Sequence, residues 1–170
     1  MKFCLVCLFL VGSAMAQDKL AKGYQMSAMG YDSLGLQVRL DEGRYPRRGF
    51  EGVLLDGCRE ILERNGVKCA VSKNGEPIKH YPCIIVDVNI AAISGGSNTG
   101  EEVYYGALSF NREVNFDIAR RQWRGIASTW SMTLGGHARN RFEIISDVEE
   151  RLQDFLVDYL KLNTARWIWK

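Results

Sequence analysis

The side chains best suited to metal binding or nucleophilic catalysis are three cysteines and two histidines, Cys58, Cys69, Cys83, His80 and His137. Zinc sites usually contain a close pair of ligands such as Cys-x-x-Cys, whereas His80 and Cys83 form a lone His-x-x-Cys. A cysteine nucleophile needs an activated and exposed thiol, which no neighbouring residue indicates. The sequence therefore predicts no metal and no cofactor.

Two further stretches have the composition of a binding or catalytic site. Asp87 and Asn89 share one side of an alternating stretch, so they are either a polar interaction surface or two solvated positions. Residues 95–100 have the glycine spacing of a phosphate loop, but Glu101 and Glu102 follow where a P-loop needs Lys and Ser or Thr. No Gly-x-Ser-x-Gly motif occurs. We interpret residues 95–100 as a hairpin loop.

Trp167 and Trp169 share a parity near the end of the chain. Exposed tryptophans of this kind anchor a protein in a partner's groove or at a membrane interface. Alternatively, the Trp-Ile-Trp segment adds a short edge strand or covers one end of the core. We keep both tryptophans as candidates for an interaction surface.

The first residues predict export. Lys2 precedes an apolar run over residues 3–11, and Ala14-Met-Ala16 forms a small-x-small cleavage site, which is the pattern of a signal peptide over residues 1–16. The apolar run is too short for a permanent membrane span, and no later run of spanning length follows. We therefore expect a periplasmic or secreted protein, without a transmembrane segment, in a compartment where disulfides persist.

Composition favours one ordinary globular domain. The chain has 170 residues, 46% hydrophobic residues and a formal net charge of +2, which gives no reason to expect nucleic acid as a partner. Residues 17–32 are polar, rich in small residues and without periodicity, which is typical of a flexible arm. A single domain over residues 33–163 and an aromatic tail over residues 164–170 account for the remainder.

Hydrophobic periodicity predicts the elements of that domain. Residues alternate over 34–40, 67–71, 83–93, 103–116 and 123–134, whereas apolar residues recur with a helical period from 50 to 65 and from about 140 to 163. The stretch 83–93 is predicted to be the central strand. The fold class is α+β: a two-layer sandwich in which an antiparallel sheet of four to five strands carries two helices on one face, in the order β-α-β-β-β-β-α. That face is lined by Leu36, Val38, Val86 and Val88.

Several local details follow from the same patterns. Asn65-Gly66 is predicted to end the first helix, and Asn140 with Glu143 forms a capping box that begins the second, whose apolar stripe starts at Ile145. Alternation weakens over residues 111–113, where a bulge or a turn is expected. The inward face of the last strand stays open, because Trp123 and Trp130 have opposite parity. Residues 135–137 are predicted to form a loop.

The three cysteines beyond the leader leave at least one thiol unpaired in a monomer. Cys69 and Cys83 flank a turn, but Cys69 shares a parity with inward residues and Cys83 with Asp87. Because cross-strand disulfide partners must lie on the same face, Cys58 in the inward stripe of the first helix is the better partner for Cys69. The alternative is that Cys58 and Cys69 are buried free thiols.

Three stretches resemble those of a loose class of uncharacterised bacterial exported proteins: residues 50–67, Thr129-Trp-Ser131 and Phe155-Leu-Val-Asp-Tyr-Leu160. The order of elements is also similar to that of the TolB N-terminal domain of the cell envelope. The resemblance implies an envelope setting and transfers no catalytic residue. We expect a non-catalytic binding or assembly module with a protein partner in the envelope. The alternative is a small periplasmic hydrolase whose site forms only in three dimensions, around Asp87, His80 or His137.

Overall fold

The computed structural model describes residues 33–43, 49–72, 76, 79, 81–92, 101–118 and 121–164. The elements are β1 (Leu34–Asp41), α1 (Phe50–Arg64), β2 (Cys69–Val71), β3 (Cys83–Ala92), β4 (Glu102–Ile118), β5 (Arg121–Ala138) and α2 (Arg141–Thr164). This order, β-α-β-β-β-β-α, is the predicted one. The predicted leader, arm and aromatic tail lie outside the described residues.

The five strands form one sheet in the order β2-β1-β3-β4-β5, with β3 in the predicted central place. Strands β3, β4 and β5 are antiparallel neighbours, whereas β1 runs parallel to both β2 and β3. The α+β class is confirmed, but the sheet is mixed and not purely antiparallel. The reason is that α1 crosses back over the sheet between β1 and β2, so β2 begins at the same end as β1.

One hydrophobic core lies between the sheet and the two helices. Leu36, Val38, Val86 and Val88 belong to the same buried cluster as residues of α1 and α2, so both helices cover the predicted face. A second, smaller cluster on the opposite face joins Cys83 and Ile85 to Tyr81. The molecule is therefore a two-layer sandwich in the part of the chain that the structure describes.

Helix α1 forms because its apolar residues recur with the helical period. Its buried residues are Phe50, Leu54, Cys58, Ile61 and Leu62, as the sequence predicts. The helix ends at the Asn65-Gly66 pair, where Gly66 has a φ of 79°. The amide of Val67 donates to the carbonyl of Leu62 at 2.9 Å and that of Gly66 to Glu63, which satisfies the last carbonyls of the helix.

Helix α2 begins at the predicted cap. The side-chain oxygen of Asn140 accepts from the amides of Phe142 and Glu143 at 2.9 and 3.2 Å. The buried stripe of the helix differs slightly from the predicted one, which began at Ile145: Ile144 is fully buried and Ile145 only partly. Neither of the two described helices has the length and apolar composition needed to cross a bilayer.

Arg141, in the first turn of α2, lies in a buried ionic cluster at one end of the sheet. Its guanidinium contacts Glu42 at 2.6 Å and Glu102 at 3.1 Å, while Nε lies 2.7 Å from Glu102 without hydrogen-bond alignment. The guanidinium carbon also lies 4.8 Å from the centre of the Phe50 ring. These contacts connect β1, α1, β4 and α2, so we define this as the Arg141 end of the domain.

Candidate functional site

Asp87 and Asn89 lie on the face of β3 that no helix covers, as the sequence predicts. The Asn89 amide donates to the Asp87 carboxylate at 3.2 Å and to the Tyr105 carbonyl at 3.5 Å. Asp87 is opposite Arg39 in the ladder with β1. Arg39 itself donates to the side chain of Gln37 at 3.2 Å. The structure therefore places Asp87 and Asn89 in a polar patch on this face of the sheet.

Two of the three residues of the alternative, hydrolytic hypothesis, Asp87 and His137, do not converge. Asp87 is in line with Ala107 and Thr133 across the sheet, and His137 lies four residues beyond Thr133 on β5. Two strand spacings and four residues of strand separate the Cα atoms of Asp87 and His137 by about 16 Å. His80 lies outside the described residues. Within those residues, no three His, Cys, Asp or Glu side chains are placed to hold a metal ion.

All three cysteines of the domain are buried or half-buried thiols. Burial raises the pKa of Cys58 and of Cys69 to about 12, and that of Cys83 to about 11. Because the thiolate is the nucleophile and the metal ligand, thiols with such pKa values are unreactive near neutral pH. This environment suits structural cysteines.

The predicted strand parity of the cysteines is confirmed, because Cys69 packs on the core that contains Cys58, whereas Cys83 belongs to the cluster on the other face. The negative charge of a Cys69 thiolate would also raise the pKa of Cys58, so the two sulfurs are electrostatic neighbours. The Cys58–Cys69 disulfide stays a prediction. Peptide mapping of the oxidised, exported protein under non-reducing conditions is expected to recover it, and a Cys69–Cys83 linkage would contradict the parity.

The most unusual feature of the surface is the long hairpin of β4 and β5. Strand β3 pairs with β4 only as far as Asn111, whereas β4 and β5 continue for eight pairs, from Asn111 opposite Ser128 to Ile118 opposite Arg121. We call this two-stranded extension, residues 111–118 and 121–128, the ribbon. Its backbone extends about 23 Å along the strands. A two-stranded hairpin is only marginally stable by itself in water.

An irregularity in the ladder explains the parity of the two tryptophans. Phe110 pairs with Trp130 and Asn111 with Ser128, so Thr129 is an extra residue in β5. The bulge predicted over residues 111–113 is therefore confirmed, with its additional residue in the partner strand. Because one extra residue reverses the alternation, Trp123 lies on the same sheet face as Trp130.

The ribbon exposes apolar side chains beyond the core. Trp123 retains 51% of its surface and Ile126 54%, while Trp130 packs edge-on against Phe155 at 5.1 Å. Arg124 forms an ion pair with Glu113 across the ribbon, so part of its charge is balanced within the chain. The ribbon thus combines exposed apolar groups with an ion pair between its two strands.

Strand β5 is also one edge of the sheet. It has 18 residues, RQWRGIASTWSMTLGGHA, and among the described residues no strand pairs with its outer side. Its charged residues are Arg121 and Arg124, and it contains no proline, lysine or acidic residue. Natural edge strands are usually protected by such residues or by being short. The predicted loop at residues 135–137 is wrong, because Gly135 and Gly136 continue the ladder with Tyr105 and Tyr104.

A cavity of about 310 Å³ lies between the carboxyl-terminal halves of the helices. It is lined by Ile61, Arg64, Asn65, Gln153, Leu156, Val157 and Leu160. This lining contains no carboxylate, imidazole or thiol, so the cavity offers no acid–base or nucleophilic chemistry.

No protein-family model matches the chain, and a search of curated proteins found no match. The resemblance to the TolB N-terminal domain therefore stays a prediction from the residues. Of the predicted interaction surface, Asp87 and Asn89 form the polar patch, whereas Trp167 and Trp169 lie outside the described residues. The ribbon was not among the predicted sites. The signal for it was the weak alternation over residues 111–113 together with the opposite parity of Trp123 and Trp130.

Proposed function

We propose that the chain is a non-catalytic binding or assembly module of the bacterial cell envelope, and that its binding element is the ribbon with the free edge of β5. The observation that carries the proposal is the 18-residue edge strand, which has no partner strand on its outer side among the described residues. A free edge offers main-chain donors and acceptors to another extended chain, which is the mode known as β-augmentation.

The side chains of the ribbon support the same proposal. Interfaces are enriched in aromatic residues and depleted of charge at their centre. Trp123 and Ile126, on opposite faces of the ribbon, are both more than half exposed. The ion pair between Arg124 and Glu113 reduces the free charge on the face of Ile126. The predicted leader supports the envelope setting.

The chemistry of the described residues favours binding over hydrolysis. Asp87 and His137 lie apart, and the cysteine thiols have pKa values of about 11 to 12. A general base must lie within hydrogen-bond reach of the proton that it abstracts, with a pKa near the working pH. A partner protein requires neither condition.

Site-specific photo-crosslinking in a bacterial host that exports the full chain tests the proposal. A photoreactive residue at Ile126, on the ribbon, is expected to give a discrete crosslinked species. The matched control is Phe142, which is 78% exposed but lies beside Arg141 at the opposite end of the domain. Equal crosslinking at both positions, or none at Ile126, would contradict a binding ribbon.

A further inference from the structure

We infer that the ribbon binds a second copy of this chain, with the two β5 strands pairing edge to edge and antiparallel around Gly125. This inference rests on the proposed function and names the partner of the same site. The paired segment would be residues 122–128, which lie on the ribbon side of the bulge at Thr129. The result is a continuous four-stranded ribbon, with β4 strands outside and β5 strands inside. Such a ribbon removes the free β5 edge of both hairpins and doubles the number of paired strands, while β4 residues 112–118 remain on its outside.

The faces of the ribbon restrict how two copies can pair. Residues directly opposite each other in a sheet share a face. The two-fold axis must therefore place one residue directly opposite its own copy, and it cannot lie midway between two consecutive residues. An axis at Arg124 would put the two Arg124 side chains opposite each other, and like charges in that position are destabilising. An axis at Trp123 would pair only residues 121–125, because β5 begins at Arg121.

An axis at Gly125 satisfies both requirements. It pairs residues 122–128, which stop short of the bulge at Thr129, and brings Trp123 opposite Ala127 of the second copy, a large side chain beside a small one. Arg124 then lies opposite Ile126, and Gln122 opposite Ser128, so no two charges of like sign face each other. Gly125 adds no side chain at the axis itself. The sequence of the strand is therefore complementary to itself in this register.

The size of the contact predicts a weak and reversible dimer. An interface of seven strand residues and two exposed apolar side chains from each copy is at the small end of specific interfaces, which bury less than about 1,200 Å² in total. Such interfaces correspond to dissociation constants on the order of micromolar or weaker. With a dissociation constant of that order, we expect a monomer at low concentration and a dimer at concentrations of about 100 µM.

Disulfide trapping of the purified full chain tests the register. In the dimer, the two Gly125 Cα atoms would lie about 4.5–5.5 Å apart, within the range that a disulfide spans. Mild oxidation of Gly125→Cys is therefore expected to give a reducible species of twice the mass. Ser128→Cys is the matched control, because its two copies would be six residues of strand, or about 20 Å, apart. The unmodified chain controls for all five native cysteines, of which Cys58, Cys69 and Cys83 are not exposed.

A pair of charge variants gives a second, independent result. Residue 126 lies opposite Arg124 of the second copy, so Ile126→Glu is expected to tighten the dimer and Ile126→Lys to weaken it, each several-fold across the two symmetric pairs. Within the chain, residue 126 lies opposite Glu113, so an effect on the ribbon alone would have the opposite sign. Sedimentation of both variants over a range of concentrations measures the difference.

The inference is overturned if Gly125→Cys gives no more dimer than Ser128→Cys, or if Ile126→Lys associates more tightly than Ile126→Glu. In that case, a crosslinked species at Ile126 in the exporting host with a mass other than twice the chain would identify a different partner protein. That result would support the proposed binding function of the ribbon and exclude a second copy of the chain as its partner.

Discussion

Replacing Gly106 with alanine is expected to destabilise the domain by about 3 kcal/mol or more, because the new methyl group has no space. A Cβ atom at this position would lie 1.8 Å from the carbonyl oxygen of Asp87 and 2.8 Å from its carbonyl carbon. Both are backbone atoms of the central strand, which cannot rotate away as a side chain can. The ladder between Gly106 and Val88 would have to separate.

Gly52→Ala is the matched control for Gly106→Ala. Gly52 is exposed on α1, and a Cβ there would meet no atom within 4 Å. Alanine is the better helix former, so this variant is expected to stabilise the domain by about 0.5–1 kcal/mol. Urea unfolding of both variants gives the two free energies of unfolding. Equal free energies of unfolding for the two variants would contradict the close approach of β4 to β3.

Local periodicity predicted most of the elements and most of the core, because burial of one face imposes a period on the sequence. The buried residues of α1 were all identifiable in this way, and so were Tyr104, Leu108 and Phe110 in β4. The buried face of α2 was harder to predict. Ile144 and Ile145 are adjacent and both apolar, so the pattern alone does not determine which one enters the core.

The direction of the strands was not predictable from alternation, which is the same in parallel and antiparallel sheets. The parallel pairing of β1 with β2 depends on the crossover through α1, and that of β1 with β3 is a further non-local contact. Gly135 and Gly136 resemble a loop because glycine is common in turns. They belong to β5 because they pair with β4, which is a non-local contact.

The candidate site was predictable only in part, for a similar reason. Asp87 and Asn89 were placed on the correct face, since parity determines the face of a strand residue. The ribbon depends instead on where β3 stops pairing with β4. No local pattern in the sequence of β4 or β5 indicates where β3 ends. The exposure of Trp123 and Ile126 is thus a property of the sheet as a whole.

Replacing Arg141 with alanine is expected to cost about 3–5 kcal/mol of stability, because it leaves two buried carboxylates without their cation. The side chains of Glu42 and Glu102 are only 7% and 16% exposed at their contacts with Arg141. The substitution also removes the guanidinium from the Phe50 ring. Thermal and urea unfolding of the purified variant measure the loss.

Two further variants separate the electrostatic cause from the loss of packing. Glu42→Gln and Glu102→Gln, introduced together into Arg141→Ala, are expected to restore part of the stability, because neutral amides cost less to bury than unpaired carboxylates. Arg124→Ala, which removes the exposed ion pair to Glu113, is expected to cost no more than about 1 kcal/mol. If the two glutamines restored no stability, the unpaired carboxylates would not be the main source of the instability. Its main source would then be the loss of the contacts that the Arg141 side chain makes with Phe50 and its neighbours.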